Sequence, residues 1–382
     1  MSDLKNVVIV GAASTGAHTA RNLAKTLPAT HRVILIDSAE SIYHPVSGLR
    51  ASVQPGFEKE VLRPLKTFFK DGQRHITKPL TKVVTVSEDH VVTDAGETIP
   101  FDQALFATGT NYASPGRQAS TKHDESIAAL QKAQEEVKHA KNILVLGGGA
   151  VGVEWTGEVV AQHGVKSKKI TLVSAGAQLI GPQFSPKLHA QLIPQLDQAG
   201  VTTILGDEID ASDLHTGPLA SPQTFTTKGG KIIPDVDYVF VGFGNGPNSQ
   251  VFRAFDPEAI EAGTAFVKVN PQTLKVETPK SKRWWAGGDV SNAPGGKVLY
   301  QTEGQAATIA ANILATIQAA ASGAEPNLKN WKPMPLLCAV PFGPSGGAIQ
   351  LPFVGVWGKR TVSMIKGKTL FVSQHHSLFQ PA

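Results

Sequence analysis

Cysteine is nearly absent. Cys338 stands alone in 382 residues, so no intrachain disulfide can form and no Cys-x-x-Cys pair exists. A dithiol reductase mechanism is excluded. Long apolar runs are missing too: no stretch approaches the roughly 18 to 20 residues that span a bilayer as a helix. The start, Met1-Ser2-Asp3-Leu4-Lys5-Asn6, has no basic region before an apolar core, and Ser2 stands where N-myristoylation needs glycine. A soluble, cytoplasmic chain is expected, with peripheral attachment to a membrane or to a mitochondrion left open. Acidic residues are missing from residues 327–382, where Lys329, Lys332, Lys359, Arg360, Lys366 and Lys368 give +6 against a net charge of +5 for the whole chain. Such a tail fits an anionic surface, an acidic partner or simply water. Neither a Ser-His-Asp set nor metal-ligand spacing stands out. No metal is expected, and His375 and His376 read as surface residues.

What remains is the balance of a folded, loop-rich protein: 41% hydrophobic and 18% charged residues, with 37 Gly and 25 Pro. The length predicts two or three domains.

An internal repeat organises them. Asn6-Val-Val-Ile-Val-Gly-Ala-Ala-Ser-Thr-Gly16 returns as Asn142-Ile-Leu-Val-Leu-Gly-Gly-Gly-Ala-Val-Gly152, offset by 136. His31-Arg-Val-Ile-Leu-Ile-Asp37 returns as Lys168-Lys-Ile-Thr-Leu-Val-Ser174, and Asp102-Gln-Ala-Leu-Phe-Ala-Thr-Gly109 as Asp237-Tyr-Val-Phe-Val-Gly-Phe-Gly244, offset by 137 and 135. The near-constant spacing implies two copies of one β-α-β nucleotide-binding unit. A small β-meander is expected over 82–99, an amphipathic helix over 124–140, loops over 245–283, and a long alanine-rich helix from near Gln301. The expected fold class is α/β, two Rossmann-like dinucleotide-binding units of the glutathione-reductase type with a small C-terminal α+β domain. The expected boundaries are 1–113, 114–245, 246–325 and 326–382.

A dinucleotide pyrophosphate lies against helix-terminal N–H groups, and glycines allow both the turn and the approach. Gly147, Gly149 and Gly152 complete the G-x-G-x-x-G pattern. The first copy runs Gly11, Ala12, Ala13, Ser14, Thr15, Gly16, with Ala13 in the middle glycine position. Asp37 ends the second strand of the first copy, where a carboxylate accepts ribose hydroxyls. Ser174 replaces the acid in the second copy, removing repulsion toward a 2′-phosphate, so NADPH is tolerated beside NADH. Further on, Arg283-Trp-Trp-Ala-Gly-Gly-Asp289 ends an apolar strand in Gly288-Asp289. There Asp289 can accept a ribityl hydroxyl, and the helix that follows offers its positive end to a flavin N1–C2=O edge.

On these residues the chain resembles the two-dinucleotide-domain flavoprotein reductases, and within them the apoptosis-inducing-factor-like branch that includes the ferroptosis suppressor proteins, beside the type II NADH dehydrogenases. The resemblance runs the whole length. His44-Pro-Val-Ser-Gly-Leu-Arg-Ala-Ser-Val53 is similar to the branch's segment after the first acidic strand, and the tail stretches Trp331-Lys-Pro-Met-Pro-Leu-Leu, Gly355-Val-Trp-Gly-Lys-Arg and Leu370-Phe-Val-Ser are its most specific features. The resemblance implies FAD contacts from Arg50, from the Val83 backbone and from Ala107-Thr108-Gly109. It implies catalytic positions for Glu154, at the nicotinamide–flavin junction, and Arg117, near the active cleft. FAD and NAD(P)H are the implied cofactors, and a quinone is the favoured acceptor. Two other readings stand beside it: reductase of a soluble electron-carrier protein, and redox-gated binding protein. Nucleic acid is the less favoured partner, because the charge sits in one tail without a periodic basic helix. For the tail itself, two roles are open: contact with a membrane carrying the quinone, or a cap that packs on the flavin unit or makes a homodimer.

Overall fold

The computed structural model describes residues 4–70 and 72–381, with Asn245 described by its backbone. Six residues, the last four of them apolar and ending at the first glycine turn, form β1 (Lys5–Val10), which feeds α1 (Ser14–Thr26) and β2 (His31–Ile36). A short hairpin pair, β3 (Ser41–Tyr43) and β4 (Leu62–Pro64), encloses α2 (Pro45–Ala51). Then come β5 (Ile76–Lys78), the antiparallel meander β6 (Val83–Val86), β7 (His90–Thr93) and β8 (Thr98–Pro100), and β9 (Gln103–Phe106). The chain leaves this unit through β10 (Thr110–Tyr112) and α3 (His123–His139).

The second unit repeats the plan. It contains β11 (Asn142–Leu146), α4 (Ala150–His163), β12 (Lys169–Ser174), α5 (Pro186–Gln198), β13 (Val201–Leu205), β14 (Gly217–Thr226) and β15 (Ile232–Val241). Its exit strand, β16 (Gly244–Pro247), pairs antiparallel with β10, so the two crossings lie side by side. A short helix, α6 (Gln250–Phe255), interrupts the expected loop region before β17 (Trp284–Ala286) and the long α7 (Leu299–Ser322). The tail forms an antiparallel sheet of β18 (Cys338–Phe342), β19 (Gly346–Leu351) and β20 (Gly355–Trp357), followed by α8 (Lys359–Val362), a π-turn over Ser363–Gly367, and α9 (Val372–Leu378).

The two main sheets run in the order β17-β9-β1-β2-β5 and β13-β12-β11-β15-β14. The first is parallel throughout; in the second only β14 is antiparallel. Register carries the repeat into space. Val7 faces Val33 on one side and Gln103 on the other, while Ile143 faces Ile170 and Tyr238. Continuous apolar strands are what a parallel sheet covered on both faces requires, and α1 and α7 supply one cover. Ile309, Ile313 and Ile317 of α7 pack with Ala17, Ala20 and Leu23 of α1 over β1 and β2.

The second core is shared by three parts of the chain. Leu49 and Val53 near α2, Val153 and Trp155 of α4, and Val340 and Ala348 of the tail sheet bury together. Gly157 is the reason α4 can lie against β18: a Cβ there would fall 2.4 Å from the Gly343 nitrogen and 2.5 Å from the Phe342 Cα. Trp155 closes the seam, donating its indole N–H to Ser52 Oγ at 3.1 Å and stacking on Phe240 at 4.1 Å.

The tail also corrects one expectation. His375 is buried and stacks on the buried His44, ring centroids 4.7 Å apart, because α9 folds back over the start of α2. His376 is half-buried, its ring 3.4 Å from a Glu60 carboxylate oxygen and hydrogen-bonded to Arg63. Burial lowers His44 to about 4 and His375 to about 3, from an ordinary 6.5. Both rings therefore stay neutral in the folded protein while the unfolded chain takes up protons near pH 6.5. Stability is complete above that pH and falls by up to about 1.4 kcal/mol per pH unit per histidine on acidification toward pH 4. Urea unfolding of the His375→Phe protein at pH 7 and pH 5 is expected to show roughly half the loss seen in the parent; an equal loss would refute the assignment.

Candidate active site

Both glycine turns are built by close approach. A Cβ on Gly11 would lie 2.4 Å from the Ala107 carbonyl oxygen, and one on Gly16 1.8 Å from the Gly11 oxygen. In the second unit a Cβ on Gly152 would lie 2.0 Å from the Gly147 oxygen. Gly11 and Gly147 also hold φ of +100° and +108°, a region costly for any residue with a side chain. The first and third glycines thus let strand, turn and helix nest together.

The middle position is different. Gly149 has φ −73°, and a Cβ there would meet nothing within 4 Å. Ala13 adopts nearly the same conformation, φ −67°, with its methyl exposed. This is the open cradle that a pyrophosphate would fill, so Ala13 fits the fold and merely narrows the space above it. Neither α1 nor α4 has a side-chain cap or an acidic residue in its first turn. Their leading N–H groups and the positive end of each helix dipole are left for an anion.

Other expected residues converge on the first turn. Asp37, half-buried, accepts the Ala12 N–H at 2.7 Å and the Ala39 N–H at 2.9 Å. Burial pushes its carboxyl up, against the pull of those two hydrogen bonds. Thr81, two residues before Val83, donates its N–H to the Asp37 carbonyl at 2.9 Å, which brings the meander to the ribose end. Ala107 follows β9 against Gly11, and Thr108 Oγ1 donates to the Asn248 carbonyl at 2.8 Å, locking the exit strand. Gly288, φ +72°, donates its N–H to Gln305 Oε1 at 2.8 Å, and a Cβ there would meet Thr15 Oγ1 at 2.7 Å. Ser14 Oγ lies 2.6 Å from Thr302 Oγ1, which joins the N-terminal ends of α1 and α7. Arg117 reaches Asp289 Oδ2 at 3.3 Å and donates to Thr110 Oγ1 at 3.0 Å, both charged side chains about one-third exposed. Two residues expected on separate grounds are therefore partners.

Arg50 is engaged by the protein itself. It is buried, and four of its five N–H donors are taken by protein: Nε and Nη2 by the two oxygens of Glu158, each at 2.8 Å, Nη2 also by the Gly367 carbonyl at 2.6 Å, and Nη1 by the Lys368 carbonyl at 3.1 Å. These bonds tie α2 to α4 and to the tail, with Leu49 of α2 buried in the core the three share.

Glu154, on the second turn of α4, is buried and accepts from Lys366 Nζ at 2.7 Å. Burial drives its carboxyl up, the Lys366 ammonium draws it down, Glu158 raises it and Arg50 lowers it. Lys366 and Glu158 were not expected from sequence. The available signal was Glu154 and Glu158 four apart as the only acids in a helix whose other residues before Gln162 are apolar or small, a pattern that demands buried partners. Cys338 lies in the field of the same pair, and burial pushes its thiol up to about 12, so it stays protonated and unreactive.

Two parallel nucleotide-binding units in tandem, each with an uncapped helix behind a glycine turn, define a dinucleotide-dependent oxidoreductase. The pyridine nucleotide-disulphide oxidoreductase model matches residues 5–324, and the chain belongs to that family. It is similar to apoptosis-inducing factor homolog B of Dictyostelium discoideum, 27% identical over 98% of this chain and 97% of that one. It is also 28% identical to ferroptosis suppressor protein 1 of Homo sapiens, over 96% and 94% of the two chains. In fold it is similar to the sulfide:quinone oxidoreductase from Aquifex aeolicus, with a TM-score of 0.76 at 15% identity, covering 98% of this chain and 91% of that chain. FAD and NAD(P)H are its cofactors, and it is an NAD(P)H-dependent flavin oxidoreductase. With one cysteine and that one protonated, the disulphide chemistry in the family's name has no dithiol here.

The contrast between glycines is testable. Gly149→Asp supplies a good N-cap without a clash, so stability should hold or rise by roughly a few tenths of a kcal/mol. Its carboxylate should weaken NADH binding by more than about tenfold, read by fluorescence titration. Gly152→Ala should instead cost about 1–3 kcal/mol of stability, read by thermal unfolding.

Proposed function

We propose that this protein oxidises NAD(P)H and delivers the electrons through FAD to a quinone held in a membrane surface. Residues 1–113 and 246–325 take the FAD, 114–245 the NAD(P)H, and 326–382 the membrane. Gly11 to Gly16, Asp37, Val83, Ala107 to Gly109, Gly288 and Asp289 serve the FAD; Gly147, Gly149 and Gly152 serve the pyridine nucleotide. When bound, FAD supplies a hydride acceptor at its N5 and a two-electron store for the next acceptor. The chain's part is to align and to screen. The uncapped ends of α1 and α4 hold the two pyrophosphates, Asp37 orients a ribose, and Asp289 takes a ribityl hydroxyl with Arg117 steadying its charge. Glu154, kept on Lys366, holds the nicotinamide carboxamide in a place that water does not enter.

The observation carrying the acceptor is the tail's outer surface. Phe353 is 98% exposed, Met364 74%, Val354 60% and Trp357 50%, with Lys359 and Arg360 beside them in sequence. Apolar tips ringed by cations suit an anionic bilayer surface. Among the described residues no helix is long and apolar enough to cross a membrane, so contact would be from one side. The inner face of the same tail is packed, with Val340 and Ala348 in the shared core and Leu378 and Phe379 under the first unit. Cap and membrane face are thus two sides of one element. The name of the sulfide:quinone oxidoreductase, whose fold this chain shares, supports the quinone.

Stopped-flow reoxidation with ubiquinone in phosphatidylcholine–phosphatidylserine vesicles checks it. The Phe353→Glu, Trp357→Glu protein should lose vesicle co-sedimentation and most quinone turnover, while NADH still bleaches its flavin at the parent rate. Turnover indifferent to lipid and saturating with an iron–sulfur carrier protein would favour the carrier reductase instead.

A further inference from the structure

The segment from His44 to Arg50 grips the far end of the chain. Arg50 donates to the carbonyls of Gly367 and Lys368, at 2.6 and 3.1 Å, while its other edge is held bidentate by Glu158. His44 Nε2 donates to the Leu370 carbonyl at 2.8 Å. Two side chains of one seven-residue helix and its cap thus satisfy three carbonyls of 367–370. That stretch is not regular helix. Residues 363–367 form a π-turn closed by the Lys368 N–H on the Ser363 carbonyl at 3.0 Å, and Leu370 and Phe371 sit at φ +47° and +58° without being glycine. Such conformations persist where surroundings over-determine them, and they cluster at functional sites. What the π-turn presents is Lys366, whose Nζ meets Glu154 Oε1 at 2.7 Å and the Ala339 carbonyl at 3.0 Å.

We propose that Arg50, braced by Glu158 and assisted by His44, is a positioning residue that fixes the π-turn so that the Lys366 ammonium stays on the Glu154 carboxylate. It touches no reacting atom. A lysine side chain is a flexible stem that reaches one buried oxygen reliably only when its backbone is fixed, and Arg50 supplies the fixing through the carbonyls immediately after Lys366. The charged and titratable groups facing Glu154 are Lys366 and Cys338 from the tail, Glu158 on its own helix and Arg50 from α2. Of these Lys366 is the cation in direct contact, so loosening the turn removes the strongest support for the carboxylate against burial. This inference rests on the role given to Glu154 above.

The test compares Arg50→Lys and Glu158→Gln with the parent as flavin-loaded proteins. Lysine keeps the charge but cannot make the bidentate grip, and Glu158→Gln leaves Arg50 in place with a weaker brace if the first variant folds poorly. Hydrogen exchange of the peptide covering 363–371 should quicken by about tenfold in both. Flavin bleaching by NADH should slow by about tenfold at neutral pH with KM little changed, and in Arg50→Lys, which leaves the Glu158 charge in place, its acid limb should move up by about one pH unit. Unchanged exchange over 363–371 overturns the clamp, as does faster exchange with the parental pH profile, which would make Arg50 merely structural. Glu154→Gln run in parallel separates the two ideas. If it keeps the parental profile, the role given to Glu154 fails; if it alters the profile while Arg50→Lys does not, only the clamp fails.

Discussion

A helix whose first turn carries neither a side-chain cap nor an acidic residue leaves its leading N–H groups open to whatever lies ahead of it, and behind the two glycine turns α1 and α4 both begin this way, at Ala13 and at Gly149. Everything else in the binding units serves that constraint. Gly11 and Gly147 turn the chain sharply enough to aim each helix back at the strand ends, and Gly16 and Gly152 let the helix settle against its own turn. Asp37 spends one oxygen on the Ala12 N–H, which stiffens the first turn, while in the second unit Ser174 packs beneath Gly148 with no carboxylate. The unpaired donors become useful when a pyrophosphate arrives, since an anion gains both the N–H groups and the helix field.

The second organising feature is α4. Its N-terminus belongs to the nucleotide turn, its next two turns carry Glu154 and Glu158, and both acids are buried against groups from elsewhere in the chain. Gly157 between them permits the approach of β18. One helix thereby connects the second glycine turn, the first unit through Arg50 and the tail through Lys366. Isolated buried carboxylates would be strongly disfavoured; paired ones tolerate burial and impose a single arrangement on the three segments. The tail is accordingly an integral part of the core and not an appendage, even though its outer face presents Phe353 and Met364 to the surroundings.

Much of this was legible in the sequence. The repeat at an offset near 136 places β1 with β11, β2 with β12 and β9 with β15, and the sheet registers pair those same residues. The meander, the amphipathic α3 and the alanine-rich α7 follow from periodicity and punctuation. Arg117 and Asp289 were singled out separately and meet in space. Arg50, His375 and Lys366 were not legible in the same way. Arg50 faces Glu158 across 108 residues and Gly367 across 317, and His44 meets Leu370 across 326, and no local pattern encodes such pairings.

Sequence alone determined the two nucleotide-binding units and their glycine turns, because strand, turn and helix are set by short-range sterics and hydrophobic period within about thirty residues. Tertiary structure alone decided which charges became partners. A buried ion pair depends on which helix faces which, and that is fixed only when α2, α4 and the tail close on one core.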